Sequence, residues 1–434
     1  MSNKATVTDM KKDGQPMLVP KLRFSEFLNA AEWKARPLNQ LAARSKQKNR
    51  DEKIIRVLTN SAEFGVVDQR DFFDKDIATQ GKLDSYFVVE LGAYVYNPRI
   101  STNAPVGPIS KNNIATGVMS PLYTVFKFKD IDDDFYAYYF RTTGWHAYMR
   151  QASSTGARHD RMAISSDDFM AMPMPVASPE ELKKISDFLR SVDVLIATQV
   201  QKLDALKTHR KGLIQQLFPL EGETKPCLRF PEFQNDGQWE PTTMEQIVDF
   251  KSGGTPSKGN PAFWNGSIPW ASAKDMKQLF LDDTEDHITA AAVNDGAKSV
   301  PAGTILMLTR GMTLLKDVPI CLLSRQMSFN QDVKALQPKA HFDGRFLLYL
   351  LLGCKQRLLN LVDIAGHGTG RLDTEKLKML DVMLPCLAEQ QRIAGCLSSL
   401  EELIISQCQK IDALKTYKKG LMQQIFPSPA EVEA

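Results

Sequence analysis

Residues 202–219 read KLDALKTHRKGLIQQLFP, and residues 410–427 read KIDALKTYKKGLMQQIFP. The two stretches lie 208 residues apart, and at that offset Ile185 to Pro219 matches Ile393 to Pro427 at 20 of 35 positions. Such self-similarity sets how many structural units the chain repeats, so it governs every later reading. The openings correspond as well. PKLRFSEFLNAAEW (20–33) aligns with PCLRFPEFQNDGQW (226–239), which sets Trp33 opposite Trp239. Between these anchors, residues 34–170 and 240–378 show little similarity. The layout is variable block, helix, variable block, helix: a duplication with like ends and diverged middles.

The repeated segments read as helices. Ile185, Leu189, Val192, Ile196, Gln199, Leu203, Leu206, Arg210, Leu213 and Leu217 alternate steps of four and three, and Ile393 to Ile425 repeats the pattern. An apolar seam every 3.5 residues over about four and a half heptads is a coiled-coil signature. Each helix starts after a proline (Pro179, Pro385) and stops at a Phe-Pro (Pro219, Pro427), because proline cannot continue the hydrogen-bond ladder. Each seam carries one glutamine and one cation, Gln199 with Arg210 and Gln407 with Lys418. Antiparallel pairing brings Arg210 near Glu401 and Lys418 near Asp193, whereas parallel pairing sets cation against cation. Antiparallel is therefore the expectation. A helix of about 36 residues spans roughly 54 Å, longer than one 150-residue domain needs. Gly212 and Gly420, inside these helices, cost about 1 kcal/mol each against alanine. Their matched positions suggest close backbone approach, between the helices or against a partner.

The 434 residues are 43% hydrophobic, with 54 Lys+Arg against 51 Asp+Glu and a net charge of +3. That composition excludes a disordered chain and leaves bulk charge silent about polyanionic partners. The six cysteines (Cys227, Cys321, Cys354, Cys386, Cys396, Cys408) include no CxxC pair, so reduced thiols in a cytoplasm are expected rather than disulfides or zinc ribbons. No apolar leader is read in the first twenty residues, and the greasy run Phe346 to Leu352 is too short to cross a bilayer.

The variable blocks mix strand-like runs (Tyr86 to Val89, Ala93 to Tyr96, Leu122 to Phe128, Thr304 to Thr309) with turns and helical stretches near 135–150 and 342–361. Each is expected to be an α+β domain with a curled antiparallel sheet. Four polar loops carry their cations. Arg44 to Arg50 holds Lys46, Lys48 and Arg50; Ser153 to Arg161 holds Arg158 and Arg161. Lys251-Ser-Gly-Gly-Thr-Pro-Ser-Lys258 includes Thr255, and Gly366-His-Gly-Thr-Gly-Arg371 includes His367 and Thr369. Glycines let backbone N–H groups approach an anion while Lys and Arg neutralise it. Arg325 with Gln326, and Asn330 with Gln331, add side chains able to pair with base edges. Each loop also reads as an ordinary solvated turn; their recurrence in both halves favours nucleic acid.

No catalytic constellation stands out. Asn97-Pro-Arg-Ile lacks the second proline and the aromatic of an amino-methyltransferase motif. Gly366-x-Gly-x-Gly370 is not a dinucleotide fingerprint, no GxxxxGK[ST] loop exists, and the six histidines have no metal-binding spacing. The acidic runs Asp132-Asp-Asp134 and Asp282 to Asp286 read as solvated turns.

Taken together, the chain resembles the specificity subunit of a type I restriction-modification system over nearly its whole length. The resemblance is carried by the paired LRFxEF…W openings, Ser252-Gly-Gly-Thr-Pro-Ser257, Ile268-Pro-Trp270, Gly303-Thr-Ile and the double ALKxxxKGLxQQxFP endings. It implies an α+β protein with two globular target-recognition domains separated by two long antiparallel coiled-coil helices, with internal pseudo-twofold duplication. The division expected is 1–20 N-terminal tail, 21–175 first recognition domain, 176–219 first spacer helix, 220–383 second recognition domain, 384–427 second spacer helix and 428–434 C-terminal tail. It further implies a non-catalytic reader of a bipartite double-stranded DNA target in the cytoplasm. Two adenine-N6 methyltransferase subunits would dock on it, followed by restriction subunits. S-adenosylmethionine, Mg and ATP would belong to those partners, and no cofactor to this chain. The rival reading is a coiled-coil scaffold that binds proteins rather than DNA.

Overall fold

Each repeated segment folds as one unbroken helix of 39 residues, Pro179–Leu217 and Leu387–Ile425. Pro179 occupies a first-turn position whose N–H would have no partner anyway, and the Ser178 hydroxyl accepts from Glu181 N. The computed structural model describes Leu18 and residues 20–72, 83–130, 133–153, 160–364 and 368–427. They fall into two units. One comprises the described residues up to Thr198 together with those from Ile411 onward, and the other is Gln199–Lys410.

In the first unit, Ile185 and Leu189 share a buried cluster with Leu421, Met422 and Ile425, and Lys418 Nζ reaches the Asp193 carboxylate. In the second, Ile214 and Leu217 share a cluster with Ile393 and Leu397. There Arg210 pairs with Glu401, and Gln407 Nε2 donates to Gln199 Oε1 at 3.1 Å and Gln199 O at 3.0 Å. Rising numbers on one helix meet falling numbers on the other, so the expected antiparallel seam is present. Gly212 and Gly420 correct the expectation of helix–helix approach: a Cβ built at either meets nothing within 4 Å. Among the described residues, no neighbour requires glycine there.

The two openings lock onto the helices alike. Arg23 grips the Glu181 carboxylate with two bonds of 2.7 Å and donates to Ala30 O and Ala31 O. Arg229 grips Glu389 at 2.8 and 2.7 Å and donates to Asp236 O and Gly237 O. Both glutamates are only 1% exposed, so each carboxylate depends on its fork of guanidinium bonds. Trp33 packs edge-on against Phe135, which meets Phe426. Trp239 packs against Phe346, which meets Phe218.

The diverged middles keep one frame. The first sheet runs in the order Ala42–Ser45, Thr124–Phe128, Tyr94–Tyr96, Ile109–Lys111. The second runs Val248–Ser252, Val333–Pro338, Ile305–Leu308, Ile320–Leu323, Phe280–Leu281. The first is antiparallel throughout. The second unit departs from the antiparallel expectation. Phe280–Leu281 lies parallel to Ile320–Leu323, and Trp264–Ala271 lies parallel to Met327–Phe329. Parallel pairing needs a crossover of a dozen or more residues, and the long intervening segments of this unit supply it. The helix expected over 342–361 is two helices, Gly344–Gly353 and Lys355–Asn360, because Cys354 leaves helical geometry at φ −83°, ψ 5°. Among the described residues, no helix is long and apolar enough to cross a membrane.

Candidate nucleic-acid interface

In the second unit, strand Val248–Ser252 feeds straight into Gly253 and Gly254. Gly253 is required here: a Cβ would lie 2.2 Å from Asn330 O and 2.4 Å from Phe329 O. Gly254 N donates to Phe329 O at 2.9 Å. Two indoles pin the loop from outside, Trp270 Nε1 to Gly254 O at 3.0 Å and Trp264 Nε1 to Ser257 O at 3.1 Å. Their rings meet edge-on at 5.3 Å. This is a held turn rather than the flexible loop expected from its composition.

Thr255 Oγ1 bonds the Gln331 amide oxygen, which joins the glycine loop to the Asn330–Gln331 turn. The next residue extends the link. Asp332 O accepts from Thr309 N at 2.8 Å and Arg310 N at 3.2 Å, and Thr309 O accepts from Leu372 N. Thr255, Gln331, Arg310 and Arg371 therefore stand on one connected surface. Lys334 donates to Ser252 Oγ beside them; burial, with Lys298 and Lys378 nearby, holds its pKa below the usual lysine value.

Other sequence candidates fall elsewhere or are occupied. Lys251 lies in the strand, with Nζ on Gln337 Oε1 at 2.7 Å. Lys258 is exposed. Asn330 is half-buried and its Oδ1 accepts from Asp332 N, so it shapes the turn. Arg325 sits at the opposite end of strand Met327–Phe329 and does not join this surface, while Gln326 is bound to Ser299. Thr369 is half-buried, and Arg371 belongs to strand Gly370–Leu372 instead of a loop. His367 and Arg158 lie outside the described residues.

In the first unit, Lys46, Lys48 and Arg50 are exposed at alternate positions while Asn49 between them is buried. The Asn49 amide donates to Ile54 O and accepts from Ile54 N, and Asn49 N donates to Tyr86 O. That buried amide turns the cations outward. Arg44, on strand Ala42–Ser45, is bound to Ser166. Arg161 is half-buried, with Nε 3.5 Å from the Asp160 carboxylate.

Two residues escape sequence reading, Arg99 and Arg310. Arg99 pairs across an antiparallel bridge with Arg161, as Arg310 does with Arg371. A signal exists. Leu91-Gly-Ala-Tyr-Val-Tyr-Asn-Pro-Arg99 and Ala302-Gly-Thr-Ile-Leu-Met-Leu-Thr-Arg310 share only the glycine and the arginine, which stand seven places apart on either side of a strand. Gly92 and Gly303 both turn at positive φ, 83° and 79°, directly before the equivalent strands.

Known proteins share this organisation. A family described as type I restriction modification DNA specificity domain matches residues 236–416. The type I restriction enzyme EcoR124I/EcoR124II specificity subunit of Escherichia coli is 30% identical over 249 residues, 56% of this chain and 59% of that protein. The MjaIX specificity subunit of Methanocaldococcus jannaschii is 27% identical over 195 residues, 43% of this chain and 44% of that protein. The alignments thus span about half the length of these relatives. In fold, the chain is similar to the type I restriction-modification S subunit from M. genitalium, with TM-score 0.55 at 14% identity over 94% of this chain and 99% of that one. A chain from a structural study of type I R-M complex assembly and conformational transition gives TM-score 0.57 at 13% identity, over 91% and 97%. With the duplicated frame, the paired helices and the glycine-loop surface already in place, these likenesses point one way: residues 236–416 match the type I restriction modification DNA specificity domain, and the chain is similar in sequence to type I specificity subunits over about half of their length and in fold to a solved S subunit.

Proposed function

We propose that this chain is the non-catalytic DNA-recognition subunit of a type I methyltransferase/restriction complex, each recognition domain (21–175 and 220–383) reading one half of a bipartite duplex target. The observation that carries this reading is one sheet frame occurring twice with unlike loops, the arrangement two unlike half-sites demand. The helices (176–219 and 384–427) act as the spacer between readers, as half-site separation is a geometric property of a paired reader. Phosphate contacts fall to Lys46, Lys48, Arg50, Arg158 and Lys258, and base-edge contacts to Thr255, Gln331, Thr369 and His367.

Two adenine-N6 methyltransferase subunits dock on the helices, and restriction subunits join through them. Exposed apolar side chains on the helices suit such docking: Val194 and Leu195 in one unit, Leu403 and Ile405 in the other. Gly212 and Gly420, open to solvent, leave room for a partner's backbone there. S-adenosylmethionine, Mg and ATP are bound by the partners, this chain holds no cofactor, and the complex works in the cytoplasm.

The test is a genome-wide adenine-methylation map. The host lacks adenine methyltransferases and expresses this chain with and without the methyltransferase subunit encoded beside it. A split motif, two short half-sites around an unread gap, is expected only when both are present. A well-expressed, co-purifying pair that writes no motif and binds no duplex overturns the reading and favours the protein-binding scaffold.

A further inference from the structure

In an antiparallel ladder, residues directly opposite each other come closest where the flanking residues, not the pair itself, exchange the hydrogen bonds. Arg310 and Arg371 are such a pair, since Leu372 N donates to Thr309 O at 2.9 Å. Arg99 and Arg161 are another: Ile100 N donates to Asp160 O at 3.0 Å and Met162 N to Pro98 O at 2.9 Å. Like charges directly opposite each other destabilise a ladder. Here the same unfavourable pair occurs at equivalent places in two units whose middles have otherwise diverged.

The nearby acids do not balance it. Asp160 lies 3.5 Å from Arg161, and Asp373 lies 3.9 Å from Arg371. Asp363 stands across from Arg371 on its other side, but Lys376 holds both its oxygens at 2.8 and 2.9 Å. That leaves Arg99 and Arg310, both exposed, with no ion pair among the described residues. Arg161 Nε is itself shut off from water with no hydrogen-bond acceptor. Each unit therefore sets two arginines directly opposite each other on one ladder, with fewer free carboxylates than cations beside them.

We propose that Arg99 with Arg161, and Arg310 with Arg371, form a clamp in each unit for a backbone phosphate of the bound duplex. The inference rests on the DNA-recognition reading and deepens it. Two half-sites of different sequence share their sugar-phosphate backbone and not their bases, so a residue pair present in both units serves the shared part. Guanidinium groups suit it, because their planar forks meet phosphate oxygens bidentately.

Full-length wild-type protein, Arg99→Ala and Arg310→Ala are titrated by fluorescence anisotropy against target and unrelated duplexes at stepped salt. Each variant is expected to weaken both duplexes alike, several-fold, and to flatten the slope of log K against log salt by about one. An unchanged slope, or a loss confined to one half-site sequence, overturns the clamp. A second arm needs no DNA: melting in inorganic phosphate against chloride at equal ionic strength. Phosphate is expected to raise the wild-type melting temperature more than that of either variant. In chloride, the variants are expected to melt at or above wild type, since a like-charge contact is gone. A lower melt in chloride assigns the arginines a structural role and overturns the proposal. Wild type that binds no duplex but shows the phosphate effect sinks the DNA reading while leaving the anion site standing.

Discussion

The hairpin Tyr94–Tyr96 with Ile109–Lys111 and the hairpin Ile305–Leu308 with Ile320–Leu323 share a register but not a chemistry. Tyr94 faces Lys111 and Tyr96 faces Ile109; Ile305 faces Leu322 and Met307 faces Ile320. The bonds at the strand start repeat as well, Gly92 N to Asn112 O at 2.8 Å and Gly303 N to Leu323 O at 2.8 Å. Yet the first unit fills the space with tyrosines and buried asparagines, and the second with aliphatic side chains and Cys321. Asn112, fully buried, donates to the carbonyls of Val89, Glu90 and Ala115 at 2.8–3.2 Å. Leu323 has no such duty. Backbone ladders and turns hold the frame. A core can then change wholesale provided every buried polar atom finds a partner.

If the frames are equivalent, matched substitutions should cost alike. Phe135→Ala and Phe346→Ala remove the ring that joins the opening tryptophan to the helix end, each losing about 3–5 kcal/mol. Urea unfolding followed by the adjacent indole, Trp33 or Trp239, measures each unit; a large loss in one alone would break the equivalence. Next in size, Glu181→Ala and Glu389→Ala strand a nearly buried arginine, for a loss of about 3 kcal/mol each. The same titrations read it.

A reciprocal exchange sharpens the contrast between cores. Asn112→Leu leaves three carbonyls without their donor, and Leu323→Asn buries an amide with no partner, so each should cost about 2 kcal/mol. If either exchange proves neutral in thermal unfolding, the two cores are less distinct than their chemistry indicates. Replacing Gln199 and Gln407 together by leucine should instead raise stability by about 1 kcal/mol through apolar burial, while weakening the selection of register. Melting with light scattering would show both effects, and a lowered melt would give the amide pair a larger role. The smallest effect is at Asp373. Backbone N–H bonds from Glu375 and Lys376 hold its pKa below the ordinary 3.8. A depressed folded-state value stabilises above the unfolded pKa and is lost as pH falls through the folded one. A carboxyl NMR titration midpoint at or above 3.8 would contradict the cap.

Where information is local, the chain is legible. Seam residues, the helix ends and the Arg210–Glu401 and Lys418–Asp193 pairs follow from helical periodicity plus one choice of direction. The glycine loop is visible, but its rigidity is not, because it comes from indole bonds that Trp264 and Trp270 send back from the next strand, and neither spacing has a periodic signature. As sequence, Asn97-Pro-Arg-Ile is only an incomplete active-site motif. Its Arg99 gains meaning when Arg161 lies opposite, and strand pairing across 62 residues leaves no periodic trace.

The duplicated ends, the antiparallel helix pair and the α+β class were determined by sequence alone, since each depends on spacing within one segment and on charge signs that admit one direction. Which strands pair, which lysines are already occupied and which arginines stand opposite each other were decided by tertiary structure. Those outcomes depend on long-range hydrogen bonds that any of many similar strands could have made, and only the complete set of buried contacts selects among them.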